Sequence, residues 1–244
     1  MGVESFEQLR EPLVSGRQSP KNLGGILWLS IILQSLIYAL EYYVAADSSV
    51  YPNKHKILYF HFWVTVSICI LCLVYGIPII YNRSDKMQYV VSILASHNLF
   101  TVPFLVITLF LLGKPTDKGI LSSDMLNSIT LVLLSIGVSI FLMSSIRLLV
   151  LLKKGAFKAG AKRESIVALL IKPRYITFGL VMIFLFLFFT RSLVGYSLNE
   201  WTIIAIGIMI FFVMLFVLPQ QLAILYCKIR FKSFNFNKRG YLYD

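Results

Sequence analysis

Along the chain the apolar residues come in long runs rather than in alternation. Six runs reach the length of a membrane-crossing helix, roughly 20 residues at about 1.5 Å each for a hydrocarbon layer about 30 Å thick. They fall at 24–46, 58–81, 88–113, 125–152, 175–196 and 201–227. None shows the period of two that marks a barrel strand, and a helix satisfies its own backbone hydrogen bonds, which lipid cannot do for it. The expected fold is all-α: a polytopic integral membrane protein with six transmembrane helices. The intervening segments are short and polar. Residues 47–57 carry Tyr51-Pro52-Asn53, residues 114–124 open on Lys114-Pro115, and 197–200 is little more than a turn. The expected organisation is a leader over 1–23, a six-helix domain over 24–227 and a basic tail over 228–244. The first 23 residues hold no apolar stretch of the signal-peptide kind, so the first span reads as an uncleaved anchor. Within the leader, Phe6, Leu9 and Leu13 recur at i, i+3 and i+7. That spacing predicts an amphipathic helix on the inner membrane surface, with Ser5 as its N-cap.

Composition narrows the class further. Of 244 residues, 58% are hydrophobic and 14% charged, with a mean hydropathy of +0.79. A soluble domain carries about a quarter charged residues, and a single core of this size could not hide so much apolar surface. Disordered chains are poor in the aliphatic and aromatic residues that abound here. The net charge of +12 is explained by topology. Seventeen of the 23 Lys and Arg lie in the leader, the second linker, residues 153–174 and the tail. Only Lys54, Lys56, Lys114 and Lys118 lie in the alternate linkers, and Arg147 and Arg191 sit within spans. This bias predicts a cell-membrane protein with both termini in the cytoplasm. Each basic residue near anionic lipid contributes about 1 kcal/mol, which makes membrane lipids the expected partner of the surplus. A nucleic-acid surface would need a soluble module to carry it, so nucleic acid is not expected as a partner.

Ionisable residues inside spans are costly and tend to be functional. The first span holds Gln34 and Glu41, the second His61, the third His97-Asn98 and then Pro103, the fourth Arg147, the fifth Arg191. With both termini inside, Glu41, His61 and Arg191 fall toward the outer leaflet, and a Glu41–Arg191 pair forms if the first and fifth helices are neighbours. Glu41, His61, Arg191 and His97 are therefore the candidate intramembrane polar site, serving as a substrate path or as a recognition site. The competing reading has Glu41 and Arg191 snorkelling separately to the headgroups, as Arg147 does beside Lys153. Lys153, Lys154, Lys158, Lys162 and Arg163 form a candidate basic cytoplasmic surface.

Other motifs carry less. Cys69-Ile-Leu-Cys72 sits mid-span without the further ligands zinc needs and reads as packing. Cys227, at the inner end of the last span, matches a weak palmitoylation pattern. Asn82-Arg83-Ser84 is a glycosylation triplet on the cytoplasmic side, where it is unused. A His-Glu-x-x-His helix, paired acids within spans and a P-loop are absent from the sequence. The expectation is a protein that is not an enzyme and needs no cofactor or metal.

In the second half, Arg147 closes a span and lysines follow. The β-prone run 165–171 then leads into Lys172-Pro173-Arg174, and two aromatic-rich spans end at a basic tail. Together with Phe6-Glu7-Gln8-Leu9 before the first span, this resembles the polytopic immunity proteins of Gram-positive bacteria associated with type VII-secreted toxins. The resemblance implies a non-enzymatic protein that binds and neutralises a membrane-active toxin. Two alternatives stand beside it. One is the permease subunit of a small ABC-type exporter, working with a separate ATPase docked on the leader and the basic surface. The other is a structural subunit of a membrane complex. A homo-oligomer is compatible with each.

Overall fold

The computed structural model of the chain describes residues 2–158, 195–237 and 240–243. Among these residues the fold is all-helical, and β-pairing is confined to two isolated bridges. Five helical stretches are long and apolar enough to cross a membrane. All but the last two residues of the fifth expected span, 175–196, lie outside the described residues, as do Lys162, Arg163, Arg191 and the whole run 165–174.

The leader winds as a 3-10 helix, Val3–Arg10, then as the short α1, Glu11–Val14. Pro12 has no N–H to give the Gln8 carbonyl, and the Glu11 N–H takes that acceptor one residue earlier. Ser5 therefore lies inside the 3-10 helix, and Gly2 occupies the cap position expected for it. The first of the five long apolar stretches opens with α2, Pro20–Leu40, with Ser19 accepting from the Asn22 N–H at its start. It continues as a π turn, Glu41–Ala45, where the Ala46 N–H reaches back to Glu41. The second stretch, α3, Lys54–Tyr75, starts and stops earlier than the apolar run suggested. Gly76 ends it, and Pro78 opens the separate one-turn α4, Pro78–Tyr81, so 76–81 is a corner and not part of the span.

The third long apolar stretch divides into α5, Asp85–Phe100, and α6, Val102–Leu112. Pro103 cannot donate to the Leu99 carbonyl, which breaks the helix at Thr101. The fourth is α7, Ser123–Lys153. The last is α8, Leu198–Arg230, opened by a reciprocal capping box between Ser197 and Glu200.

Helices α2, α3 and α5 pack on one another, and α8 packs on α5, α6 and α7. Small residues set the closest crossings. A side chain at Gly207 of α8 would run into Thr108 Oγ1 of α6 and lie 3.1 Å from the Phe104 carbonyl. One at Gly137 of α7 would lie 2.7 Å from Leu215 of α8.

One end of the bundle gathers both termini. Phe6, Leu9 and Leu13 are buried in a cluster with Tyr89, Leu152, Phe157, Ile224, Cys227 and Phe234. Arg10 donates to the Ser233 carbonyl at 2.9 Å and the Tyr243 carbonyl at 2.6 Å, and the Gln8 N–H donates to the Phe157 carbonyl at 3.1 Å. The leader's apolar stripe thus covers protein, where the spacing alone suggested the membrane surface. Cys227 is sealed in the same cluster, away from any acyl donor.

The expected boundary at 227 also moves, because α8 runs to Arg230 and Lys228 is an interior residue. Its Nζ donates to Asp85 Oδ2 and to the Phe234 carbonyl, both at 3.1 Å, and lies 5.2 Å from the Phe236 ring centre. The opposite end holds 46–53, 113–122 and 195–197. There Ser49 donates to the Phe110 carbonyl at 2.7 Å and Tyr196 to the Leu112 carbonyl at 2.5 Å. Helices α7 and α8 run parallel, so residues 158 and 195 stand at opposite ends.

Candidate functional site

The chemistry collects along the line where α2, α3 and α5 meet. The buried residues of α3 are Leu58, His61, Thr65, Ile68 and Cys72, a strict alternation of three and four. Those of α2 and the π turn that continues it include Leu23, Leu27, Ser30, Gln34 and Glu41, and those of α5 include Gln88, Val91, Ala95 and Asn98. Such spacing keeps one stripe of each helix on the shared seam. Here that stripe is polar for much of its length.

At the end remote from the termini, Glu41 and His61 meet. Glu41 Oε2 lies 2.7 Å from His61 Nδ1, and the residues are 0% and 3% exposed. The π turn after Glu41 sends Tyr42, Tyr43 and Val44 outward while Ala45 stays inside; such turns recur at functional sites. Tyr38 covers the imidazole, ring centres 5.8 Å apart, and anchors its hydroxyl on the Leu58 carbonyl at 3.2 Å. The second atoms of the pair, Glu41 Oε1 and His61 Nε2, are buried without a hydrogen-bond partner among the described residues.

Further along the seam, Asn98 Nδ2 donates to Gln34 Oε1 at 2.7 Å and to Thr65 Oγ1 at 3.1 Å. Gln34 Nε2 donates to the Ser30 carbonyl at 3.1 Å. The Ser30 hydroxyl donates to the Leu27 carbonyl at 2.7 Å and faces Cys72 Sγ at 3.5 Å. From Ser30 to Glu41 the polar series covers about 16 Å of helix rise. An apolar cluster of Leu27, Ile68, Cys72, Val91 and Ala95 then closes the seam toward the termini. Beyond that cluster Gln88 bridges the Pro20 carbonyl at 2.8 Å and the Tyr75 carbonyl at 3.2 Å. An open groove of about 270 Å³ between α2 and α3 borders the series and is lined in part by Tyr38, Thr65 and Cys69.

The four expected site residues do not form one group. Glu41 and His61 are joined directly, whereas the expectation linked Glu41 to Arg191, which lies outside the described residues. His97 faces away from the seam. Its Nδ1 lies 2.7 Å from Thr101 Oγ1 and its Nε2 3.0 Å from Gln221 Oε1, tying α5 to α8. Arg147 is exposed on α7, near the basic end. Of the basic surface, Lys153, Lys154 and Lys158 are exposed beside the leader, and Lys162 and Arg163 lie outside the described residues. Cys72 is a packed residue of the apolar cluster, and Cys69 points into the groove. Ser30, Gln34, Thr65 and Asn98 complete the site, and Lys228 forms the buried clasp at the other end. Their sequence signal is polar residues three, four or seven apart on successive spans.

Among the described residues no cluster of three or more His, Cys, Asp or Glu side chains offers a metal site. Comparison with protein-family models, with curated proteins and with solved structures returns no match.

Proposed function

We propose that the chain is a six-span protein of the cell membrane with both termini in the cytoplasm, and that it serves as a permease subunit. Its polar half-path runs between α2, α3 and α5 from the outer side. The fifth of the six spans, 175–196, is supported by its apolar length and by the opposite placement of residues 158 and 195. The orientation is supported by the excess of Lys and Arg at the end that holds both termini.

The observation that carries the permease reading is the buried polar series itself. Polar side chains facing inward over about 16 Å of a membrane domain mark solute or ion paths, and the apolar cluster below them has the character of a closed hydrophobic gate. A partner ATPase would meet the platform formed by the leader, the tail and the exposed Lys153, Lys154 and Lys158. Neutralisation of a membrane-active toxin draws less support from this site. A toxin arriving from outside needs exposed contacts, and Glu41 and His61 are sealed inside.

The test is side-specific labelling in a background with Cys69, Cys72 and Cys227 replaced by alanine. Gln34→Cys and Thr65→Cys should react with a membrane-impermeant thiol reagent from the face where Asp117→Cys reacts. No reaction at 34 or 65 from either face, with Asp117→Cys reacting normally, would reject the path.

A further inference from the structure

The Glu41–His61 pair is more than a link between two helices. One proton bridges Oε2 and Nδ1 at 2.7 Å, whichever atom carries it. Holding that proton alone, the pair has a net charge of −1 and two bare acceptors, Oε1 and Nε2. Holding a second proton, it is neutral, as an ion pair or as a carboxylic acid beside an imidazole. A net charge without water around it is expensive by several kcal/mol, and both residues are almost completely buried.

Among the described residues little nearby offsets such a charge. Helix α6 meets this end with Val106, Leu109 and Phe110, none of which titrates. Tyr38 and Tyr42 lie on the same segment as Glu41, with the Tyr38 hydroxyl committed to Leu58. Of the four lysines at this end, Lys56 and Lys118 are exposed and the other two point elsewhere. Lys54 of α3 caps the Ala46 and Ser49 carbonyls at 2.8 and 2.7 Å, and Lys114 reaches the Val44 carbonyl at 3.1 Å.

Resting on the reading of the seam as a path, we propose that Glu41 and His61 form an intramembrane proton-binding site that couples to its opening. In the closed arrangement the pair holds two protons and is neutral. Releasing one leaves the charge of −1, which, among the described surroundings, only water entering from the outer side toward Gln34, Asn98 and Thr65 can solvate, and that water accepts the proton. Proton release and hydration of the seam are then one event. The ligand is the proton itself, exchanged with the outer side.

Infrared difference spectroscopy of the full chain in lipid nanodiscs, stepped between acidic and alkaline buffer, reads this directly. Ring-labelled histidine separates imidazole from carboxyl bands, and the two variants assign them to the pair. The expected result is loss of a protonated-carboxyl or imidazolium band at alkaline pH, together with a gain in amide exchange confined to α2 and α3 at the same midpoint. In Glu41→Gln both changes vanish, and in His61→Asn the midpoint shifts.

A wild-type spectrum without any such band overturns the proposal, and so does a band that survives unchanged in both variants. Absence of the band in the unsubstituted chain overturns the proposal even if a variant does not fold. The two readings fail separately. Reactive cysteines at 34 and 65 with no titrating pair leave the path and remove the proton site. A titrating pair with unreactive positions leaves the proton site and removes the path.

Discussion

Asp85→Asn tests the clasp that holds the tail to the bundle. Lys228 is 1% exposed and Asp85 15%, with 3.1 Å between Nζ and Oδ2. Removing one partner of a buried ion pair costs about 3–5 kcal/mol, because the remaining charge is left uncompensated. Lys228 keeps the Phe234 carbonyl, and an asparagine oxygen at 85 still accepts the Phe236 N–H, which the aspartate now accepts at 3.1 Å. The cost therefore falls at the low end, about 3 kcal/mol. At about 2–4 °C per kcal/mol for a chain of this length, the melting temperature should fall by roughly 6–12 °C.

Lys228→Met behaves differently. It removes the buried cation and leaves an aspartate that water can reach, for about 1 kcal/mol or less. Adding Lys228→Met to Asp85→Asn should recover most of the loss, a coupling of about 2–3 kcal/mol. Thermal melts in one detergent, followed by tryptophan emission, measure all four members of the cycle. If Asp85→Asn melts no lower than Lys228→Met, the charge is not buried as described and the reasoning fails.

Other substitutions probe the remaining contacts. Gly207→Ala puts a methyl group against Thr108 and should cost about 1–3 kcal/mol by forcing α6 and α8 apart, seen as a lowered melting temperature. Arg10→Ala removes two bonds from a charged donor to the tail, about 1.5–3 kcal/mol each at most. Limited proteolysis should then cut residues 231–243 sooner while membrane insertion is unchanged. Asn98→Ala breaks the junction of α2, α3 and α5, and interhelical bonds of this kind contribute about 0.6–1.7 kcal/mol. Its melt should drop modestly, with faster amide exchange in α2 and α3 and none gained in α7.

Much of the fold is legible from the apolar runs, because lipid demands long helices and the runs are uninterrupted. Their ends are less legible. Hydropathy has no means of seeing that Gly76 and Pro78 turn a corner while Ile77, Ile79 and Ile80 are still apolar. The leader's stripe of Phe6, Leu9 and Leu13 is plain in the sequence, but its partner is not, since lipid and a protein cluster ask for the same residues. Lys228 is misread for a similar reason. A basic residue at the end of a span looks like a membrane anchor until Asp85, far away in sequence, is seen beside it.

Glu41 and His61 stand out because charge inside a span is rare. Joining Glu41 to His61 requires helix neighbours, which one sequence does not supply. Ser30, Thr65 and Asn98 carry a weaker signal. Single small polar residues are common in spans, and only their three- and four-residue spacing on facing helices shows that they share a seam.

Water-edited solid-state NMR of the chain in bilayers at alkaline pH tests the central claim most directly. If the seam is a path reached from outside, water polarisation should build up on the Gln34 and Asn98 side-chain amides about as fast as on residues of the 113–122 linker. If both amides build up as slowly as Leu111, the series is a dry structural core and the permease account is wrong.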